Sequence, residues 1–176
     1  ESFYKWSGGG RIPIFCDTTS CTHTLLFETG GDILTPENRE KYKQLKIMDI
    51  TQWLKEVVLP RIKVIRPKNR ILLHPTCSCQ IMGLTPVLLD IARKCAREVI
   101  LPDNWGCCGA SGDRGFIFPE LSDSATRDER DEIGHESFDG CYSLARTCEI
   151  AMQDHIEQPY ESIVYLVDET IQDQGT

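Results

Sequence analysis

The chemistry on offer in this sequence is thiol chemistry: nine cysteines occur among its 176 residues. Two are adjacent, in Trp105-Gly106-Cys107-Cys108-Gly109-Ala110-Ser111-Gly112. Thiolates are soft, charge-rich ligands that suit zinc and iron–sulfur clusters. Neighbouring cysteines make a strained disulfide with each other. Glycines on both sides, Gly106 and Gly109, let the backbone reach positive φ and aim both thiols into one small space. The same turn brings backbone N–H groups close to sulfur, as in an anion-holding nest. The glycines at 106, 109, 112 and 115 spell neither G-x-G-x-x-G nor a Walker A loop, which argues against a nucleotide site. His74 is the one histidine in a motif, His74-Pro75-Thr76-Cys77, where it can donate to a cluster sulfur or simply cap a strand end.

Something must carry these thiols to one place, and the chain alternates strand and helix signals. Ile12 to Asp17 reads as a short strand, Ile71 to Leu73 as another, Glu98 to Leu101 as a third, and Ile163 to Val167 as a late, wholly apolar one. Between them, Thr22 to Glu28 reads as helical, stopped by Gly30-Gly31. Asp49 reads as an N-cap before Ile50, Trp53, Leu54, Val57 and Val58, one helical face closed by Pro60. Thr85-Pro86 reads as N-cap and first helical residue of a stripe through Val87, Leu88, Ile91, Ala92 and Cys95. Pro119 to Asp139 breaks the rhythm, with eight acidic residues against Arg127 and Arg130, and reads as a helix plus an exposed, solvated loop. Strands without alternation predict an α/β fold: three layers, a mostly parallel sheet, helices on both faces, Rossmann-like in the loose sense.

On that scheme Cys77, the Cys107–Cys108 pair and Cys21 follow strand ends, while Cys141 and Cys148 bracket the start of a helix through Leu144, Ala151 and His155. Ligands of open α/β sheets bind beyond the carboxyl ends of the strands. The expectation is one multi-thiolate metal site built from Cys77, Cys107, Cys108 and Cys148 with Cys21, supported by Cys79 or Cys141. Cys16, inside a strand, and Cys95, in an apolar helical stripe, read as small core hydrophobes. For Cys148, which shares a helix face with Leu144 and Ala151, a buried structural thiol is the competing reading.

The rest of the composition sets limits. The net charge of −8 disfavours a nucleic-acid partner. No apolar run approaches the roughly 20 residues of a membrane-spanning helix. An odd cysteine count without a secretory signal points to a reducing, cytoplasmic setting. The chain starts without Met and near Ser7-Gly8-Gly9-Gly10, so the expectation is a single domain, residues 1–176, cut from a longer polypeptide. No Ser/His/Asp arrangement, paired-carboxylate site or H-E-x-x-H helix is visible.

Cys77, the Cys107-Cys108-Gly109 turn and Cys148 resemble the cysteine-rich "CCG" domain of heterodisulfide reductases and of the iron–sulfur proteins of glycolate- and glycerol-3-phosphate-oxidising enzymes. Longer phrases resemble the C-terminal part of bacterial FAD-linked D-lactate dehydrogenases. These are His74-Pro-Thr-Cys77-Ser, Asn104-Trp-Gly-Cys-Cys-Gly-Ala-Ser-Gly-Asp-Arg-Gly-Phe116, Ser124-Ala-Thr-Arg127, Arg146-Thr-Cys-Glu-Ile150 and Ser162-Ile-Val-Tyr-Leu166. The similarity spans about residues 11–170. By this resemblance residues 11–60 close a first CCG repeat, with Cys21 in its last segment, and lead through a connecting helix to a second repeat over 71–170.

The resemblance implies Cys77, Cys107, Cys108 and Cys148 as ligands of an iron–sulfur cluster of the four-iron, four-sulfur type, with Gly106, Gly109 and His74 around it. It implies an electron relay, from FAD held by an oxidase domain of the same chain toward a quinone or cytochrome, in an enzyme that is cytoplasmic or peripheral at the inner membrane face. The flavin and the substrate base lie outside these residues, so the fragment alone is not expected to oxidise D-lactate. One departure stands out. The family often ends in Cys-x-x-Cys, and Ala145 occupies the place of the first of these. A substitute ligand, a reduced cluster, zinc or an empty site all remain open, as do a heterodisulfide-reductase or glycolate-oxidase assembly and a metal-free interaction module.

Overall fold

Ile71, Leu72 and Leu73 are wholly buried, and successive side chains of a strand point to opposite faces. A strand with three apolar residues in a row must therefore be covered on both sides. That requirement organises the molecule. The computed structural model describes residues 1–29 and 33–171. In chain order its elements are α1 (Ser2–Trp6), β1 (Ile14–Cys16), α2 (Thr19–His23), α3 (Pro36–Tyr42), β2 (Ile47–Asp49), α4 (Ile50–Trp53), β3 (Lys68–Leu73) and α5 (Cys77–Ile81). There follow α6 (Thr85–Cys95), β4 (Ala96–Ile100), α7 (Arg114–Ile117), α8 (Pro119–Ile133), β5 (Gly140–Ser143), α9 (Arg146–Ile156), β6 (Tyr160–Ser162) and α10 (Ile163–Thr170). Both α2 and α4 run on into π turns, Thr24–Glu28 and Leu54–Val58.

The main sheet has the order β4-β3-β5-β6, and every pair is parallel. Ile71, Leu73 and Tyr142 pack on one face against Ile50 and Leu54, Leu88 and Ile91 of α6, and Ile163 and Leu166 of α10. Leu72 and Cys141 face the other way, onto Ile133 of α8 and Ala151, Met152 and Ile156 of α9. The result is the expected three-layer α/β fold with a parallel sheet between helices. A two-stranded parallel sheet, β1 with β2, stands beside it. Asp49 ends β2 and caps α4: its carboxylate accepts the Thr51 N–H at 2.9 Å, while Gln52 accepts the Asp49 N–H at 3.1 Å.

Three elements differ from the sequence expectation. Ile163 to Val167 is helix, not strand. Ser162 caps it by accepting the Val164 N–H, and Ile163, Leu166, Val167 and Thr170 are buried at i, i+3, i+4 and i+7, leaving Tyr165 in solvent. The strand in this region is the preceding Tyr160–Ser162. Cys141 lies on β5 rather than at a helix start, since α9 begins only at Arg146. At α6 the cap is Leu84, with Thr85 already helical. The helix stop expected at Gly30-Gly31 lies outside the described residues.

Candidate thiol site

β3, β4 and β5 each end at the same sheet edge in a loop that leads to cysteine. After β3, Thr76 accepts the Cys79 N–H at 3.2 Å and so starts α5 with Cys77 as its first residue. After β4, the loop is held by Glu132 of α8, whose carboxylate accepts the N–H groups of Asp103 and Asn104 at 2.7 and 2.8 Å. Those bonds, the Asn104 one foremost, hold the Glu132 carboxyl below the usual carboxylate range. Gly109 then turns the chain at φ +74°, directly after Cys107-Cys108. After β5, Ala145 caps α9 and Cys148 sits in its first turn. The β3 and β5 ends are tied together, His74 N–H donating to the Tyr142 carbonyl and Ser143 hydroxyl to the His74 carbonyl, at 3.0 and 2.8 Å. β4 lies on one side of β3 while β5 and β6 lie on the other, so the order reverses here. Such a reversal opens a crevice beyond the strand ends.

Cys77, Cys107, Cys108 and Cys148 form one run of interacting thiols at this crevice. The sulfurs of Cys108 and Cys148 stand 3.1 Å apart. Cys107 interacts electrostatically with Cys108 on one side and Cys77 on the other. The Gly109 N–H donates to the Cys107 sulfur at 3.4 Å, and the backbone at Ser78 and Ala110 favours the charged forms of Cys77 and Cys108. Cys108 and Cys148 are buried, Cys77 and Cys107 exposed. All nine cysteines are free thiols.

Three of these thiols, Cys77, Cys107 and Cys108, ionise less readily than an ordinary cysteine. Burial, and then Cys107, push the Cys77 thiol up. The hydrogen bond with Cys108, then burial, raise Cys107. For Cys108 the bond with Cys107 favours ionisation, but Cys148 and burial outweigh it and push the thiol up to about 12. Alkylation in the folded protein is therefore expected to reach the exposed Cys21, Cys77 and Cys107, with the last two reacting faster as pH rises toward their raised values. Cys79, Cys95, Cys108, Cys141 and Cys148 should stay unlabelled until the protein unfolds. Mass spectrometry of peptides after iodoacetamide treatment reads this directly.

His74 is 1% exposed. Its Nδ1 donates to Glu129 of α8, 2.9 Å to Oε2 and 3.2 Å to Oε1, and its Nε2 has no protein partner. A carboxylate on one imidazole nitrogen orients the ring and leaves the other nitrogen as an available ligand or hydrogen-bond group. Glu129 and Glu132 fall in the segment whose sequence reads as solvated. The signal that could have found Glu129 is a stripe of Ser122, Thr126, Glu129 and Ile133, all buried on one face of α8. Three of its four members are polar, so hydropathy hides the helical period.

The other cysteines are dispersed. Cys21 is exposed on α2, which packs against α5, and the thiol it acts on is Cys16 of β1. Cys79 is fully buried on the opposite side of the sheet, beside Thr85 of α6, with its thiol pushed up to about 12 by burial. Cys95 is in the same core. Cys141 shares the apolar cluster of Cys108 and Cys148, and burial alone lifts its thiol to about 12. Gly106 is outside the left-handed region and has open space where a Cβ would stand, so nothing there requires glycine.

A soft metal group suits these donors: a close thiol pair, Cys108 and Cys148, with Cys107 and Cys77 next along the run, and a backbone N–H donated to Cys107. The spacing is not that of a finished cage. Among the described residues, no group of three or more His, Cys, Asp or Glu side chains is arranged to hold a metal ion as it stands. Thiolates on one tetrahedral zinc lie about 3.8 Å apart, from Zn–S bonds near 2.3 Å. The Cys108–Cys148 pair would have to open to bind any metal. Ala145, 3% exposed, lies in the same apolar cluster as Cys108 and Cys148. Among the described residues, no helix is long and apolar enough to cross a membrane. No protein-family model and no curated protein matches the chain.

Proposed function

We propose that this chain is an electron-relay domain whose Cys77, Cys107, Cys108 and Cys148 hold an iron–sulfur group. In this reading it works within an FAD-linked D-2-hydroxy acid dehydrogenase of the D-lactate type and passes electrons toward a quinone or cytochrome. The observation that carries it is the single run of four thiols drawn from three strand ends at the point where the sheet order reverses. When bound, the group supplies one-electron storage. The chain's own residues do the rest. The Gly109 N–H and the backbone at Ser78 and Ala110 stabilise thiolate charge. Burial of Cys108 and Cys148 excludes water from the inner pair, while exposed Cys77 and Cys107 leave an outer side open to a redox partner.

One distance favours a second reading, a zinc-binding interaction module. A sulfur pair at 3.1 Å is nearer the spacing around one zinc ion than the wider spacing around a multi-iron cluster. Anaerobic reconstitution with iron and sulfide, in competition with zinc, separates the two. The relay reading expects a coloured protein that bleaches with dithionite and regains colour on addition of a water-soluble quinone. A protein that takes zinc alone, or a coloured one that dithionite does not bleach, contradicts it.

A further inference from the structure

A cleft of about 700 Å³ opens where the ends of β1 and β6 meet the first turns of α9 and α10. Its size is that of a small-ligand site. One wall is aromatic: Phe15 and Trp53 stack with centroids 4.6 Å apart and planes 14° from parallel. Tyr165, 57% exposed, stands in the lining with them. The polar lining is acidic: Asp17, Glu149 and Glu161 against the single cation Arg146. Arg146 is already engaged, its Nη1 donating to Glu149 Oε2 at 3.1 Å. Among the described residues no cation pairs with Asp17 or Glu161. An excess of negative charge is thus confined beside exposed π faces.

We propose that this cleft binds a small organic cation of the alkylammonium class, its charged head against Asp17, Glu149 and Glu161 and its apolar body on the Phe15–Trp53 stack and Tyr165. Aromatic faces attract ammonium groups through the ring quadrupole, and quaternary ammonium is the best match to such a wall. An anionic ligand meets three carboxyls and one committed guanidinium. A bare metal ion gains nothing from the aromatic wall, and these carboxyls are not grouped as metal ligands. The inference stands apart from the metal question. It touches the thiol site at one point, since Glu149 directly follows Cys148 in the first turn of α9.

Calorimetric titration of the whole chain with choline, and with its neutral isostere 3,3-dimethylbutanol, tests the assignment. Choline is expected to bind saturably, and dimethylbutanol at least tenfold more weakly. Asp17→Asn combined with Glu161→Gln, both at exposed positions that put folding at little risk, should weaken choline at least tenfold. Absence of saturable choline binding overturns the assignment. So does a dimethylbutanol affinity equal to that of choline, or full choline binding by the double variant.

Discussion

Gly109→Ala is expected to destabilise the chain by about 3 kcal/mol, combining the cost of a left-handed backbone with that of forced overpacking. Gly109 has φ +74°, and a Cβ there would stand 2.7 Å from both the Leu121 carbonyl oxygen and the Ser122 Cα. Both atoms belong to the backbone of α8, so no side chain can swing aside. Relief must come from moving the turn, and the turn carries Cys107 and Cys108. The variant should therefore melt earlier and also lose iron uptake. Gly106→Ala is the matched control: open space surrounds the position. Its stability change should stay within about 0.5 kcal/mol, as for an unconstrained surface site. Equal melting of the two variants would refute the packing account of this turn.

Glu129→Ala is the second large effect. His74 and Glu129 are each about 1% exposed. Removing the carboxylate strands Nδ1 in the core beside an Nε2 that already has no protein partner. Breaking a buried pair in this way costs about 3 kcal/mol. For a chain of this size that lowers the thermal midpoint by roughly 6–12 °C. Glu129→Gln keeps an acceptor oxygen for Nδ1 and should cost only about 1 kcal/mol. Thermal unfolding of the pair decides the matter: if Gln and Ala variants melt together, the hydrogen bond to His74 is not what holds Glu129 inside.

Much of this architecture could be read in the residues. Unbroken apolar runs such as Ile71-Leu72-Leu73 demand cover on both faces, and that demand alone predicts the parallel three-layer form. Placing Cys77 and the Cys107–Cys108 pair at strand ends, and Cys148 at a helix start, brings them to one sheet edge. Other features were hidden for identifiable reasons. Ile163 to Val167 is apolar throughout, so strand and buried helix look alike until the Ser162 cap and the exposed Tyr165 break the tie. Cys141 reads as a ligand candidate because the short strand Gly140–Ser143 has no apolar run to announce it. Glu129 reads as solvated because acidic residues normally are, and only tertiary contact reveals it beneath His74; Glu132 is exposed as expected, yet it clamps the loop before Cys107. Cys79 stands two residues from Cys77, yet Thr76 starts a helix between them that turns Cys79 into the opposite core.

The central claim is that four particular thiols make one site. The most direct measurement is the iron and acid-labile sulfide bound per chain after anaerobic reconstitution of the unaltered protein, of Cys108→Ser and of Cys95→Ser. Cys108 lies at the middle of the thiol run, whereas Cys95 is a wholly buried thiol in the other core. The expected result is bound iron and sulfide in the unaltered protein and in Cys95→Ser, and their loss in Cys108→Ser. Equal metal content in all three, or a colourless unaltered protein that binds neither iron nor sulfide, would contradict it.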